Sequence, residues 1–266
     1  MKYFNTILFC LIGLLSFAQS ENTKSVKVLF IGNSYIYFNN LPQICTGIAA
    51  SVGDVLITDH STFGGYSFKN HFEDSNTLNK IIEGPPDYNN TRARSSWDYV
   101  ILQEQSRFPS YPPEFVQRNV FLYAKYLDST IHKFNPLAKT VFFMTWGRKN
   151  GDTARCSTWQ PVCSYKGMDS LLAMNYTIMA KRNNALLSPV GAVWKYLREN
   201  YPSIELYNSD ESHPSEAGSY AAACCFYTVL FNKDPTLIKF DYTLNHSIAS
   251  NIRSVVKQVV YDKLSK

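Results

Sequence analysis

Short apolar runs alternate with one-sided helical patterns along most of the chain. Continuous apolar runs predict buried strands, and apolar residues three and four positions apart predict amphipathic helices. The predicted strands are residues 26–31, 55–58, 99–102, 140–145 and 204–207. Strands that alternate with helices are typical of a parallel sheet covered on both faces. We therefore expect an α/β protein, a three-layer α/β/α sandwich with a five-stranded parallel sheet.

The same reasoning predicts the helices that connect these strands. The first begins at Leu41 and is closed by Gly53. The later helices are expected at residues 115–134, 168–187, 190–200, 214–231 and 248–264. Ligands of such sheets bind beyond the carboxyl ends of the strands. The residues that follow each strand are therefore the place to look for chemistry.

The first residues follow a different pattern. One lysine precedes an apolar run from Ile7 to Leu15, and Ser16 and Ala18 offer the small residues of a cleavage site. This pattern is typical of a secretory signal peptide, and the run is short for a membrane span. We expect residues 1–18 to be removed and residues 19–266 to form one domain. That domain would be periplasmic or extracellular, without stable membrane insertion.

The composition narrows the class of partner. The chain has 266 residues, 45% of them hydrophobic, which is enough for one large core. The net charge is +5, but the Lys and Arg residues are scattered singly. Scattered charge indicates a solvated surface and argues against nucleic-acid binding. The sequence leaves the oligomeric state open.

Export changes how the cysteines are interpreted. Cys156 and Cys163 flank a short polar loop, and an oxidising compartment favours a disulfide between them. Two free thiols are the alternative, while the lack of a nearby histidine argues against a zinc site. Cys45, Cys224 and Cys225 fall within helical patterns and are expected in the core.

Two strand ends carry the residue types of a serine hydrolase. Ser34 follows the first strand in the sequence Gly-Asn-Ser, and Asp210 and His213 follow the last. Acyl transfer by a serine needs an imidazole to take the hydroxyl proton and a carboxylate to orient the ring. The ordinary alternatives are a serine that caps the next helix and a surface Asp-x-x-His turn.

Two further strand ends offer hydrogen-bond donors. Gly64 and Gly65 let backbone N–H groups approach an oxyanion, although glycines also make ordinary turns. The Gln105 side chain is placed to donate to the same oxyanion. Glu104 resembles a general base, but we expect it to point away or to hold a loop.

Candidates for substrate contact lie beside these groups. Tyr35 is next to Ser34, and Trp146 and Arg148 follow the fourth strand. Trp146 offers a substrate wall, and Arg148 offers an anchor. The alternative for Trp146 and Arg148 is a loop that leads into a helix.

Taken in order, these motifs resemble the SGNH (GDSL-type) hydrolase superfamily. The order is Gly-x-Ser after strand one, glycine after strand two, an amide after strand three and Asp-x-x-His before the last helices. The segments "LQEQS", "MTWG" and "DESHPSEAGSYAAA" look like an exported bacterial branch of poorly assigned substrate. The resemblance implies an α/β/α fold and an esterase or lipase activity, often carbohydrate deacetylation.

By position, the resemblance makes Ser34 the nucleophile, His213 the base and Asp210 its orienting partner. The oxyanion hole would consist of Ser34 N–H, Gly65 N–H and the Gln105 side chain. The sequence departs from the family pattern at this last position, where asparagine is usual. It also departs at Asn33, where aspartate is usual.

These observations predict a secreted serine esterase that removes small acyl groups, acetyl above all, from a carbohydrate. Its partner would be a small-molecule or glycan ester. Ser-His-Asp chemistry requires no metal and no organic cofactor. One alternative is a non-catalytic glycan-binding protein on the same fold. A lysophospholipase or thioesterase of the same superfamily is another.

Overall fold

The computed structural model describes residues 23–86 and 95–264, and the predicted signal peptide lies outside them. Five parallel strands form one sheet in the order β2-β1-β3-β4-β5. The strands are β1 (Ser25–Gly32), β2 (Val55–Thr62), β3 (Tyr99–Leu102), β4 (Lys139–Phe143) and β5 (Leu186–Ser188). The predicted fold class, an α/β protein with a five-stranded parallel sheet, is confirmed.

Helices connect the strands and extend the chain beyond the last one. In the first half they are α1 (Ser34–Tyr37), α2 (Leu41–Ala50), α3 (Phe68–Glu73), α4 (Ser75–Glu83), α5 (Pro113–Phe115) and α6 (Leu122–Phe134). In the second half they are α7 (Tyr165–Arg182), α8 (Val190–Asn200), α9 (Glu216–Phe231), α10 (His246–Val256) and α11 (Asp262–Leu264). Two π-helical segments, Val116–Phe121 and Lys257–Tyr261, continue α5 into α6 and α10 into α11. Within the part of the chain that the structure describes, short 3-10 segments also occur at Phe38–Asn40, Phe108–Ser110, Gln160–Val162 and Pro235–Leu237.

The helices cover both faces of the sheet and create two cores. Successive side chains of β1 point to opposite faces, as strand geometry requires. Val28 and Phe30 belong to the core beneath α2, α8, α9 and α10. Leu29 and Ile31 belong to the core beneath α3, α6 and α7. A strand segment that is buried on both faces must be apolar at every position, which explains the apolar run from Val28 to Ile31.

The fifth strand is not the predicted one. Residues 204–207 were expected to form it, but β5 is Leu186–Ser188, paired with Val141–Phe143 of β4. The predicted helix 168–187 ends earlier, at Arg182, and Asn184 adopts a left-handed conformation that turns the chain into β5. A strand of three residues is too short to show a pattern of apolar positions from which it could be predicted.

Residues 204–207 are apolar for a different reason. Ile204 and Leu206 are buried in the core beneath α8 and α9. The backbone of this segment forms only one isolated antiparallel bridge, between Tyr207 and Pro214. The segment therefore packs through its side chains and delivers residues 208–213 to the carboxyl edge of the sheet without joining it.

Two further expectations can be placed on this fold. Cys45, Cys224 and Cys225 are unpaired and buried in the same core. Within the described residues, no helix combines the length and the apolar character that a membrane crossing requires.

Candidate active site

The turn that carries Ser34 is fastened to the loops after the two neighbouring strands. Asn33 is buried, and its amide donates to the backbone oxygens of Tyr66 (2.9 Å) and Glu104 (3.3 Å). Its Oδ1 accepts the N–H of Tyr35 at 3.3 Å and caps α1. A carboxylate has no hydrogen to donate to two carbonyl groups. The asparagine that departs from the family pattern is therefore matched to its surroundings.

The side chain of Gln103 fixes the same turn from β3. Its Oε1 accepts the backbone N–H of Asn33 at 2.9 Å, and its Nε2 donates to the Glu104 backbone oxygen. A Cβ on Gly32 would lie 2.5 Å from that Oε1 atom. Glycine is therefore required at the end of β1 because the amide approaches the backbone so closely.

A buried histidine supports the turn from behind. His71 Nε2 lies 2.9 Å from the Gly32 backbone oxygen, which can only accept, so Nε2 carries a hydrogen. Its Nδ1 lies 3.0 Å from Thr77 Oγ1. Burial lowers the pKa of His71 to about 4, and the ring is neutral at ordinary pH. The sequence pattern gave no signal for this residue.

The three residues of the predicted triad form a continuous chain of hydrogen bonds. His213 Nε2 lies 2.8 Å from Ser34 Oγ, and His213 Nδ1 is hydrogen-bonded to Asp210 Oδ2. The other oxygen, Asp210 Oδ1, accepts the backbone N–H groups of Ser212 (3.0 Å) and His213 (2.9 Å). Partial burial raises the pKa of Asp210, but the hydrogen bonds from His213 and Ser212 outweigh it and hold the pKa below its usual value.

Residues 207–213, which we call the histidine loop, are held by the chain that follows β4. Tyr207 Oη donates to the Gly147 oxygen at 2.7 Å, and Lys149 N–H donates to the Glu211 oxygen at 2.9 Å. Asn150 Nδ2 donates to Glu211 Oε2 at 2.8 Å. Glu211 has a φ of 60°, a left-handed conformation that few non-glycine residues adopt. These bonds compensate for that conformation.

Tyr35 and Trp146 support the histidine loop and are not the predicted substrate-binding residues. Both are buried, and their rings are stacked with centroids 4.7 Å apart. Trp146 also stacks on Trp194 at 3.7 Å, and its Nε1 donates to the Ser212 oxygen at 3.1 Å. Tyr35 Oη is 2.9 Å from Ser212 Oγ. The prediction is corrected here because a ring without exposed surface cannot contact substrate.

The three predicted oxyanion donors have no hydrogen-bond acceptor among the described residues. They are Ser34 N–H, Gly65 N–H and the Gln105 Nε2 group. Gly65 is exposed and has a φ of 71°, which favours glycine. Gln105 Oε1 accepts the Arg107 N–H at 2.8 Å, which fixes the amide and leaves its two hydrogens without a partner.

No family model and no curated protein matches this sequence, but its fold matches solved structures. A protein from Slackia heliotrinireducens, assigned to the SGNH hydrolases, superposes with a TM-score of 0.60 at 22% identity, over 77% of this chain and 98% of that one. A DUF4886 family protein from Bacteroides uniformis superposes with a TM-score of 0.69 at 16% identity, over 91% of this chain and 95% of that one. This chain has the SGNH hydrolase fold. The esterase EstA from Pseudoalteromonas superposes with a TM-score of 0.50 at 11% identity, over 77% of this chain and 97% of that one.

In this version of the SGNH hydrolase fold, Glu104 holds a loop, as expected. It is fully buried, and its Oε1 accepts the N–H groups of Phe68 (2.9 Å) and Gln105 (2.6 Å). Its Oε2 is buried without a hydrogen-bond partner. Burial raises the pKa of Glu104 to about 8, although the two backbone N–H groups oppose this effect. The carboxyl group fixes the start of α3 against the end of β3.

Aromatic side chains that the sequence analysis missed border the serine in this SGNH hydrolase fold. Phe38 is half-buried and stacks on the His213 ring, with centroids 4.2 Å apart. Tyr37 and Phe63 are exposed, and Phe63 lies against Tyr66 at 4.7 Å. We call Tyr37, Phe38, Phe63 and Tyr66 the aromatic rim. The sequences "SYIYF" and "TFGGY", which flank the serine and the glycines, contained the signal.

Arg148, the predicted anchor, is half-buried after β4, and its backbone N–H contacts Met168 Sδ at 3.4 Å. Further along the same connection, a disulfide joins Cys156 and Cys163, whose Cα atoms are 4.7 Å apart. Residues 23–86 and 95–264 contain no group of three or more side chains arranged to hold a metal ion.

Proposed function

We propose that this protein is an exported serine esterase that removes small acyl groups, acetyl above all, from a carbohydrate. The observation that carries the proposal is the hydrogen-bond chain from Ser34 Oγ through His213 to Asp210. The SGNH hydrolase fold supports the coarser assignment, an ester hydrolase, because structures of that fold include an esterase. Export rests on the signal-peptide pattern of residues 1–18.

In the proposed reaction, Ser34 Oγ attacks the ester carbonyl carbon while its proton moves to His213 Nε2. Asp210 Oδ2 accepts the Nδ1 hydrogen and stabilises the imidazolium that forms. The three donors described above would stabilise the oxyanion that the carbonyl oxygen becomes. The tetrahedral intermediate then expels the alcohol, which takes the proton from His213. Water repeats the sequence on the acyl-enzyme, releases the acid and restores Ser34.

The aromatic rim supports a sugar as the alcohol. Tyr37 and Phe63 expose their rings beside the loops that carry Ser34 and Gly65. An exposed ring offers an apolar face on which the C–H face of a pyranose can pack.

The decisive test is hydrolysis of p-nitrophenyl acetate by the mature protein. Ser34→Ala should reduce kcat by about 10⁴-fold or more, because the nucleophile and its base act as one unit. Ser209→Ala is the matched control, since Ser209 is exposed in the histidine loop but lies outside the hydrogen-bond chain. Circular dichroism should show that all three proteins are folded.

Each outcome has a defined meaning. Turnover that is lost only in Ser34→Ala supports the serine esterase, and equal turnover by all three proteins shows that Ser34 is not the nucleophile. If the wild type hydrolyses neither this ester nor acetylated sugars, the non-catalytic glycan-binding alternative is favoured. A preference for octanoyl over acetyl p-nitrophenyl esters would favour the lysophospholipase alternative.

A further inference from the structure

Arg148 lies beside the histidine loop. The residues on either side of it are bound to that loop, Gly147 through Tyr207 at 2.7 Å and Lys149 through Glu211 at 2.9 Å. Arg148 therefore cannot move away from the loop without breaking these bonds. Its side chain starts from the same sheet edge as Ser34, because β1 and β4 both end there.

The guanidinium group of Arg148 has no hydrogen bond and no ion pair with any residue in the described part of the chain. It is not simply a solvated surface cation, because the residue is half-buried and its Nε atom is buried. Three other cationic side chains, by contrast, each have a partner. Lys149 pairs with Glu205 at 2.6 Å, Arg107 lies 3.6 Å from Asp152, and Arg198 covers the ring of Tyr165.

The acids of the histidine loop are already engaged. Asp210 is hydrogen-bonded to His213, and Glu211 accepts from Asn150. Burial raises the pKa of the Tyr35 hydroxyl, whereas the positive charge of Arg148 lowers it and the negative charge of Asp210 raises it. The cation and the proposed catalytic carboxylate thus act on the same buried hydroxyl group. Arg148 lies near the site, but its positive charge is not paired with a carboxylate of the histidine loop.

We propose that Arg148 binds an anionic group, a carboxylate or a sulfate, on the sugar whose ester is cleaved at Ser34. The inference rests on the proposed function and adds the substrate class, an acidic glycan. A guanidinium presents planar donors that match the oxygens of such a group, and partial burial strengthens the interaction.

The order of the strands supports a substrate that spans the site. The loop after β2 contributes Phe63 and Tyr66 of the aromatic rim, and Ser34 follows β1. Arg148 follows β4, on the other side of β1 and β3 in the sheet. A sugar with its ester at Ser34 would therefore meet aromatic rings on one side and a cation on the other.

The test compares acetylated methyl glucuronoside, acetylated methyl glucoside and the 6-sulfated form of the glucoside. We expect the wild type to show a kcat/KM about tenfold higher for at least one anionic glycoside than for the neutral one. Arg148→Gln should bring that ratio close to one, and Arg148→Lys should give an intermediate value because the charge remains without the planar donors. The ratio should also fall as salt is added.

Arg155→Gln is the matched control, because it removes the same charge from an exposed arginine that lies over the Tyr111 ring. It should retain the wild-type ratio. The proposal is overturned if the wild type shows no preference for either anion, or if Arg148→Gln keeps the preference. The uronate and the sulfate identify which anion is bound.

If no glycoside is hydrolysed, the proposed function fails, and binding then decides the role of Arg148. Methyl glucuronoside and the 6-sulfated glucoside are titrated calorimetrically into the wild type and into Arg148→Gln. Binding to the wild type alone would support the anion site, and the absence of binding to either protein would overturn it.

Discussion

Glu104 connects the stability of this protein to pH. Its carboxyl group is fully buried, and its pKa rises from 4.5 to about 8 because burial disfavours the charged form. Between these two values the folded protein retains a proton that the unfolded chain releases. The free energy of unfolding therefore decreases as the pH rises through this range. Since one unit of pKa difference corresponds to about 1.4 kcal/mol, the total effect is at most about 5 kcal/mol.

Replacing Glu104 with glutamine tests this reasoning. The amide oxygen can still accept from Phe68 N–H and Gln105 N–H, but the side chain no longer ionises. Relative to wild type, Glu104→Gln should be equal or slightly less stable at pH 5, where both side chains are neutral. At pH 9 it should be more stable, by up to about 5 kcal/mol. Urea unfolding at pH 5, 7 and 9 measures the difference directly.

The exposed carboxyl group of Glu114 provides the control. Glu114→Gln should give a stability profile parallel to that of the wild type, because this variant leaves the buried carboxyl group of Glu104 unchanged. A difference between Glu104→Gln and wild type that stays constant from pH 5 to pH 9 would refute the assignment of a raised pKa to Glu104.

Two further predictions concern stability. Asn33→Asp removes both hydrogens that Asn33 donates to carbonyl groups, so it should lower the free energy of unfolding by about 1–3 kcal/mol at pH 7, and by less at pH 4. Urea titrations at the two pH values measure this loss. The same loss at both pH values, or no loss at either, would show that the donated bonds contribute little. The double variant Cys156→Ser/Cys163→Ser should lose up to about 2.5 kcal/mol, because the loop is no longer closed in the unfolded chain; an unchanged melting temperature would contradict this estimate.

The central strands could be predicted from sequence because they are buried on both faces. Residues 28–31 and 99–102 contain no charged side chain, Lys27 is the one charged residue within 26–31, and the structure extends the first predicted strand by one residue at each end. The edge of the sheet was not predictable in this way. Leu186–Ser188 is a strand because β4 offers it a partner, and that information lies in residues 45 positions earlier.

The residues of the site also fall into those that the sequence predicted and those that it could not. Ser34 was predicted from the strand that it follows, whereas Asp210 and His213 meet it although residues 204–207 do not form the strand expected before them. The sequence could not show that Trp146 is buried under the histidine loop while Tyr37 is exposed, since both are aromatic residues next to a strand end. Which ring faces solvent depends on packing against α8, and only the fold determines that.

The hydrogen bond between Ser34 and His213 joins residues that are 179 positions apart in the chain. Ser34 follows the first strand and His213 precedes one of the last helices, so the two groups meet only when almost the whole domain has been assembled. A site of this kind has no activity in a partly folded chain. Esterase turnover would therefore report complete folding more stringently than helix content does.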